Sequence, residues 1–171
     1  VGGEATWRAV EVGAIDFIPK PKLDWSAGLQ ALSEEMISKV RAAARVKVAA
    51  RPRRKSLKPA TEQLQFSGRG SEVLVAVGAS TGGVEALATL ISPLPPNGPA
   101  MVVVQHMPAQ FTASFASRLN SMSAAEVAEA RDGERLLPGH VYIAPGNRHT
   151  SIHRSGANFI CRLTDEPLVS G

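Results

Sequence analysis

A glycine-rich hexapeptide, Gly-Ala-Ser-Thr-Gly-Gly at residues 78–83, lies between an apolar run at 73–77 and a helical pattern from Val84 to Ile91. Glycines at 78 and 82 permit the close backbone approach that a tight strand-to-helix turn needs. The first amides of a helix have no internal acceptor and can bind an anion. The pattern therefore predicts a strand, a sharp corner that carries Ser80, and a helix.

Ser80 is the leading candidate for a nucleophile. Residues 78–82 match the G-x-S-x-G elbow, and the strand before and the helix after are the context that this motif requires. Two other interpretations stay open: Ser80 or Thr81 caps the helix without reactivity, or the turn holds a phosphate. The stretch lacks the Gly-Lys-Ser/Thr ending of a P-loop, which disfavours a phosphate. The residues whose amides can stabilise an oxyanion are Thr81, Gly82 and Gly83.

His106 is the best-placed base for this serine, because it directly follows the apolar run 101–105. If the runs 73–77 and 100–105 are neighbouring parallel strands, Ser80 and His106 emerge at the same edge of the sheet and share one crevice. The imidazole can then act as a general base, although a histidine after a strand is also a common turn residue. The other histidines lack the matching carboxylates or cysteines of a metal site, so we expect no metal ligation: His140, His149 and His153.

A catalytic triad also needs an acid that orients the imidazole. None of the candidates after residue 72 sits at the end of a buried strand, so the third member stays unassigned. Asp132-Gly133 is typical of a turn, and residues 165–167 are typical of the start of a loop. The acids considered are Asp132, Glu134, Asp165 and Glu166.

The second half of the chain alternates between strand-like and helix-like patterns, which favours an α/β fold with a mostly parallel, doubly wound sheet. Leu137-Pro138-Gly139 predicts a turn, and the pattern around Ser155-Gly156 predicts a β-hairpin. The predicted strands are 73–77, 100–105, about 126–130, 140–144, 150–154 and 158–163, and the predicted helices are 83–92 and 112–122.

The first part of the chain has its own pattern. A helix ends at Gly13, a short strand follows at 15–18, and a second helix runs over about 26–45. Pro19-Lys20-Pro21 places Lys20 at the carboxyl end of that strand, where open α/β sheets bind their ligands. We therefore expect residues 1–47 and 73–171 to belong to two domains, joined by a flexible linker at 48–72.

The net charge of +4 comes from one segment. Nine basic residues and no acidic residue lie between Lys39 and Lys58, and the rest of the chain has ten basic and fifteen acidic residues. This segment has no interleaved aromatic residues on which bases could stack, so a solvated linker is favoured over nucleic-acid binding. With one cysteine and no apolar stretch near the roughly 18 residues of a membrane span, we expect a cytoplasmic protein without membrane insertion.

These motifs resemble the chemotaxis response-regulator protein-glutamate methylesterase family, which also deamidates protein glutamines. The resemblance rests on Val-Gly-Ala-Ser-Thr-Gly-Gly at 77–83, Gln-His-Met-Pro at 105–108, Asp-Gly-Glu at 132–134 and the stretch 137–146. Residues 13–21 are similar to the last part of a flavodoxin-like receiver domain, which the family carries before its catalytic domain.

The resemblance implies that Ser80 is the nucleophile and His106 the base, and that catalysis needs no cofactor. It implies substrates on methyl-accepting chemotaxis receptors and control by phosphorylation of the receiver, with a chemotaxis histidine kinase as phosphodonor. Lys20 matches the receiver lysine that contacts the phosphoryl group, with a cis bond to Pro21 expected. Magnesium is expected for phosphorylation of the receiver in the intact protein.

Two residues of the family's pattern lie outside this sequence, so we expect a fragment cut at both ends and weak or no activity from the fragment itself. The family's catalytic aspartate follows residue 171, and its phosphoacceptor aspartate precedes residue 1. Because the third triad member is missing, a non-catalytic signalling or binding module is the alternative function.

Overall fold

The computed structural model describes residues 6, 9, 14–18, 25–45 and 73–167, and the side chains of 25–31 are not included. The chain divides into two compact units, Val1–Leu57 and Lys58–Gly171. The boundary between the units falls inside the predicted linker at 48–72, all of which lies outside the described residues. Lys20 and Pro21 also lie outside them.

In the first unit, helix α1 spans Trp25–Arg45, which confirms the predicted second helix. Lys39 on this helix donates to the Phe17 carbonyl at 2.8 Å and pairs with Glu35 at 2.9 Å and Asp16 at 3.4 Å. The predicted strand at 15–18 is wrong, because these residues have no regular secondary structure. The Asp16 carboxylate accepts from the Phe17 amide at 2.8 Å, a local bond of the kind that competes with strand pairing.

The second unit contains a four-stranded parallel sheet in the order β1-β2-β5-β3 and a three-stranded antiparallel sheet in the order β4-β7-β6. The α/β fold with a mostly parallel sheet and a hairpin is confirmed. Its elements, in chain order, are β1 Leu74–Ala79, α2 Gly83–Ile91, β2 Ala100–Gln105, α3 Ala109–Asn120, β3 Glu126–Glu129, β4 Arg135–Leu136, β5 His140–Ile143, β6 His149–Ser155 and β7 Asn158–Thr164.

The core of the parallel sheet forms where its strands pack against two helices. Helix α2 contacts β1, and α3 contacts β3 and β5. The strands β1 and β2 pair from Leu74 with Ala100 to Ala79 with Gln105, so their carboxyl ends lie level with each other. The largest fully buried side chains are Leu87, Ile91, Val103, Thr112, Phe115, Leu119, Val141, Ile143 and Cys161.

The antiparallel sheet covers part of the parallel sheet through a shared apolar cluster. Ala100, Val102 and Tyr142 of the parallel sheet are buried together with Leu136, Cys161 and Leu163 of the antiparallel sheet. The Tyr142 hydroxyl accepts from the Leu137 amide at 3.0 Å and donates to the Arg135 carbonyl at 3.2 Å. This phenol therefore fixes β4, a two-residue strand that is too short to show an alternating pattern in the sequence.

The predicted turn at Asp132-Gly133 is confirmed, and it anchors the hairpin. Gly133 has a φ of 76°, and its amide donates to the Cys161 carbonyl at 2.8 Å. The Asp132 carboxylate accepts from the Leu163 amide at 2.8 Å and lies 3.6 Å from Arg162. The Leu163 amide is the largest cause that lowers the pKa of Asp132 below its ordinary value of 3.8.

At Gly139 both the backbone conformation and the surrounding space disfavour a larger residue. It ends the predicted Leu137-Pro138-Gly139 turn with a φ of 78°, and its amide donates to the Gly98 carbonyl at 2.6 Å. A Cβ at this position would overlap the Pro96 carbonyl group. This turn delivers the chain into β5, in the middle of the parallel sheet.

Replacement of Asp132 by asparagine tests the charged part of the hairpin anchor. The amide oxygen of asparagine can still accept from Leu163, so the variant loses only the charge. Because the folded-state pKa of Asp132 is lowered, its ionic contribution is present above about pH 4 and is lost as the pH falls through the folded-state value. Thermal unfolding of the full-length protein should show Asp132→Asn less stable than the wild type at pH 7, with the difference vanishing in acid.

Glu166→Gln makes the same change in net charge at an exposed residue and serves as the control. An Asp132→Asn deficit that stays constant from pH 7 to pH 3 would contradict an ionic origin.

Replacement of Gly139 by alanine tests the turn before β5. The backbone strain costs about 1–2 kcal/mol, and overlap with the Pro96 carbonyl adds about 1–3 kcal/mol. Gly156 has a φ of 60° and open space around it, so Gly156→Ala has only the strain. Chemical denaturation should place Gly139→Ala well below Gly156→Ala in stability. Equal losses would mean that the Pro96 contact is unimportant.

Candidate active site

Ser80 and His106 occupy equivalent positions after two adjacent strands. The register pairs Ala79 with Gln105, the last residues of β1 and β2, and each candidate follows directly. The His106 amide donates to the Ala79 carbonyl at 3.0 Å, which extends the ladder past both strand ends. Both residues are exposed. The predicted pairing of the two strands is confirmed, and it brings Ser80 and His106 to the same edge of the sheet.

The turn at Ser80 depends on two glycines. Gly82 is the N-cap of α2 with a φ of 77°, a left-handed conformation that favours glycine. No side chain caps this helix, so the interpretation of Ser80 or Thr81 as a helix cap is wrong. The second glycine is Gly83, where a Cβ would overlap the side-chain amide of Gln105. Gly78 has open space and no positive φ, so the expected need for glycine there is also wrong.

Two amides of the turn are available to an oxyanion. The Gly83 amide donates to the Ser80 carbonyl at 2.7 Å, so it already has an acceptor. The amides of Thr81 and Gly82 have no acceptor within residues 73–167. Of the three residues expected to stabilise an oxyanion, Thr81 and Gly82 therefore have the suitable amides, at the positive end of α2.

The Ser80 hydroxyl and the His106 imidazole are not joined by a hydrogen bond in the described part of the chain. Bonds of this kind are often long or poorly aligned without substrate and tighten during the reaction. The structure supplies the scaffold that places a hydroxyl and an imidazole on adjacent strand ends, with donors beside them. This arrangement suits nucleophilic attack on an acyl carbon.

The two aspartates considered for the third position bind other groups. Asp132 accepts from the Leu163 amide, as described above. Asp165 pairs with the Arg148 guanidinium at 2.7 Å on an exposed surface. Neither carboxylate contacts His106, so both have structural partners in place of the imidazole.

The two glutamates considered with them do not contact His106 either. Glu134 accepts from the backbone amide of Arg131, within the Asp132-Gly133 turn. Glu166 is exposed near the end of the described residues. The third member of a triad therefore stays unassigned within residues 73–167.

Gln105 is a site residue that the sequence reading missed. The residue is 7% exposed, and its Nε2 donates to the carbonyl oxygens of Ser80 at 2.9 Å and His106 at 3.2 Å. One amide thus contacts the backbone of both candidate catalytic residues. The sequence feature that could have indicated this role is the polar character of Gln105 at the end of the otherwise apolar strand β2.

The segment after His106 is held from its other side by buried contacts. The Thr112 hydroxyl is fully buried and binds the Glu129 carboxylate, and the Gly146 amide lies 3.5 Å from the same hydroxyl. A Cβ on Gly146 would come within 2.6 Å of the Ala109 nitrogen. These contacts tie the start of α3 to the ends of β3 and β5, and they were not predicted from the sequence.

Within the described ranges, no cluster of three or more His, Cys, Asp and Glu side chains could hold a metal ion. The magnesium expected for the receiver therefore has no ligand set in this part of the chain. His140 pairs with Glu126 at 3.1 Å, and His149 contacts the Pro167 carbonyl. Among the residues that the structure describes, there is no helix with the length and hydropathy of a membrane span.

Comparisons with known proteins place the chain in a family. The family model for CheB methylesterase matches residues 75–170. A protein-glutamate methylesterase/protein-glutamine glutaminase of Pectobacterium atrosepticum is 49% identical over 99% of this chain and 48% of its own length. The protein of the same name from Salmonella typhimurium is 48% identical with the same coverage. The chain thus spans about half the length of these relatives.

A solved structure supports the same placement. The crystal structure of the Thermotoga maritima CheB methylesterase catalytic domain superimposes with a TM-score of 0.55 and 43% sequence identity, over 57% of this chain and 52% of that one. Its match agrees with the parallel sheet described above. The chain belongs to the CheB methylesterase family.

Proposed function

We propose that the full-length protein is a serine hydrolase that demethylates glutamate methyl esters and deamidates glutamines on methyl-accepting chemotaxis receptors. The observation that supports this most strongly is the register of β1 and β2, in which the last residues of the two strands, Ala79 and Gln105, are paired. Ser80 and His106 follow these residues directly and therefore leave the sheet side by side. The names of the relatives supply protein glutamate methyl esters and protein glutamines as the reacting groups, and the family resemblance of the sequence motifs supplies the chemotaxis receptors that carry them.

In the proposed reaction, the Ser80 hydroxyl oxygen attacks the ester carbonyl carbon while the His106 imidazole takes the hydroxyl proton. The carbonyl oxygen becomes an oxyanion that accepts from the amides of Thr81 and Gly82. The C–O bond to the methoxy group then breaks, and His106 returns the proton so that methanol leaves. A glutamine side chain follows the same course and releases ammonia.

The second half of the reaction restores the serine. Water attacks the carbonyl carbon of the glutamyl ester on Ser80 while His106 takes a proton from the water. The bond from this carbon to the Ser80 oxygen then breaks as His106 gives the proton to that oxygen, and the glutamic acid that is released ionises. The products are a glutamate carboxylate and the free hydroxyl. We propose that the carboxylate that orients His106 belongs to the aspartate that the family carries after the part matched by residues 75–170.

We also propose that a receiver domain controls this site. The resemblance of residues 13–21 to the end of a receiver supports this proposal, with Lys20 as the residue that senses an aspartyl phosphate. A histidine kinase would donate the phosphoryl group, and a magnesium ion held outside the described residues would assist its transfer. The proposed location is the cytoplasm, where receptor side chains of this kind are accessible.

Replacement of Ser80 by alanine tests the proposal. Loss of the nucleophile should reduce methanol release from methylated receptor by about a thousandfold or more. The measurement is methanol release by the full-length protein at saturating receptor. Ser117→Ala changes an exposed serine on α3 and should retain the wild-type rate. If Ser80→Ala also retains it, the binding-module alternative is favoured.

A further inference from the structure

The Gln105 side chain lies at the point where the two candidate catalytic segments meet. It ends β2, opposite Ala79 in the register, and it is buried beneath the Ser80 turn. Its Nε2 carries two hydrogens, which match the two carbonyl oxygens that it contacts, those of Ser80 and His106. Both hydrogens of this group are thus used on the two residues that the proposed reaction needs.

The orientation of this amide follows from its surroundings. With Nε2 toward the two carbonyls, Oε1 is buried and has no donor within the described residues. A rotation by 180° would place Oε1 against two carbonyl oxygens, an arrangement of three acceptors with no donor. The observed orientation is therefore the more stable one, because it leaves one oxygen unpaired but makes two donated hydrogen bonds.

Gly83, the first residue of α2, lies directly against the side-chain amide of Gln105. A Cβ at residue 83 would overlap Gln105 Oε1, and it would lie 2.9 Å from the Gln105 Cδ and 2.8 Å from the Ala79 Cβ. The Gly83 amide donates to the Ser80 carbonyl, which also accepts from Gln105 Nε2. The Ser80 carbonyl is thus held by two donors, one from α2 and one from β2.

We propose that Gln105 is a positioning residue that fixes the Ser80 turn relative to His106 through its two donated hydrogen bonds, and that Gly83 is required because it makes room for this amide. The inference rests on the proposed function for its kinetic consequence. Its structural consequence, the rigidity of both turns, does not depend on what Ser80 does.

Gln105→Met separates positioning from stability. Methionine keeps the length and apolar volume of the side chain, but it removes both donors together with the unpaired oxygen. Stability should fall only modestly, because removal of the unpaired oxygen offsets part of the loss of two donated bonds, while the Ser80 turn and His106 lose their common anchor. We expect kcat for methanol release to fall by about 10- to 100-fold, because small displacements of reacting groups have effects of that size. KM should change by less than about twofold, since substrate contacts are kept.

Hydrogen exchange gives a readout that does not depend on catalysis. The amides of Gly83 and His106 donate to the carbonyls of Ser80 and Ala79 in the two turns that Gln105 joins. In Gln105→Met, peptides that contain these amides should exchange at least about tenfold faster, while peptides from β7 keep the wild-type rate. Unchanged exchange in both turns would overturn the proposal.

Thr150→Val is the matched control for this variant. Thr150 Oγ1 is also buried without a partner in the described part of the chain, but it lies on β6 in the antiparallel sheet. Its replacement removes an unpaired oxygen of the same kind and should leave kcat, KM and exchange at the Ser80 turn unchanged. If Thr150→Val lowers kcat as much as Gln105→Met, the effect is not one of positioning.

A double-mutant cycle tests the part played by Gly83. Gly83→Ala should lower kcat strongly in the wild type, where Oε1 occupies the space, and less in a Gln105→Ala background, where only the contact with the Ala79 Cβ at 2.8 Å remains. Additive losses would overturn the assignment of Gly83.

The outcomes also separate this inference from the proposed function. If Ser80→Ala retains activity while Gln105→Met loosens both turns, the proposed function fails and the positioning role stands. If Ser80→Ala is inactive and Gln105→Met is unchanged in kcat and exchange, the positioning role fails alone.

Discussion

The hydrogen bond from the His106 amide to the Ala79 carbonyl fixes the position of His106 relative to Ser80. It extends the β1–β2 ladder by one residue beyond the strands, so the segments that follow β1 and β2 leave the sheet at the same position along the strand direction. Parallel strands end at the same edge, so this single register converts two distant sequence motifs into neighbours. A slip of one residue would turn Ser80 or His106 to the opposite face.

Two sets of contacts hold the chain where it leaves this ladder. On one side, Gln105 binds the carbonyls of Ser80 and His106, with Gly83 making room for its amide. On the other side, Thr112 and Gly146 tie the start of α3 to the ends of β3 and β5. Such buried polar contacts restrict side chains and backbone together, which is what a preorganised site requires.

Much of this arrangement could be predicted from local sequence. The glycines of the turn and the alternation of apolar strands with helices were sufficient to predict β1, α2 and β2 and their pairing. The Asp132-Gly133 turn and the hairpin around Gly156 followed from turn chemistry. In each case the residues that carry the pattern are adjacent in the chain.

Other features depend on contacts between distant residues and were missed or predicted wrongly. The two-residue strand β4 exists because Tyr142 and β7 hold it, and two residues show no period. Local preference suggested Ser80 or Thr81 as the helix cap, but Gly82 takes that position because the turn needs a positive φ. The strand expected at 15–18 has the right composition, yet Asp16 makes a local bond to Phe17. The role of Gln105 depends on a neighbour 25 residues away.

Covalent labelling of Ser80 shows whether His106 activates the Ser80 hydroxyl. The full-length protein and its His106→Gln variant would be treated with a fluorophosphonate that reacts with activated serine hydroxyls, and the labelled peptide would be identified by mass spectrometry. Ser80 activated by His106 should be the labelled residue, with labelling slowed by about a hundredfold or more in His106→Gln. Labelling at another serine, or equal rates in both proteins, would contradict the pairing of Ser80 with His106.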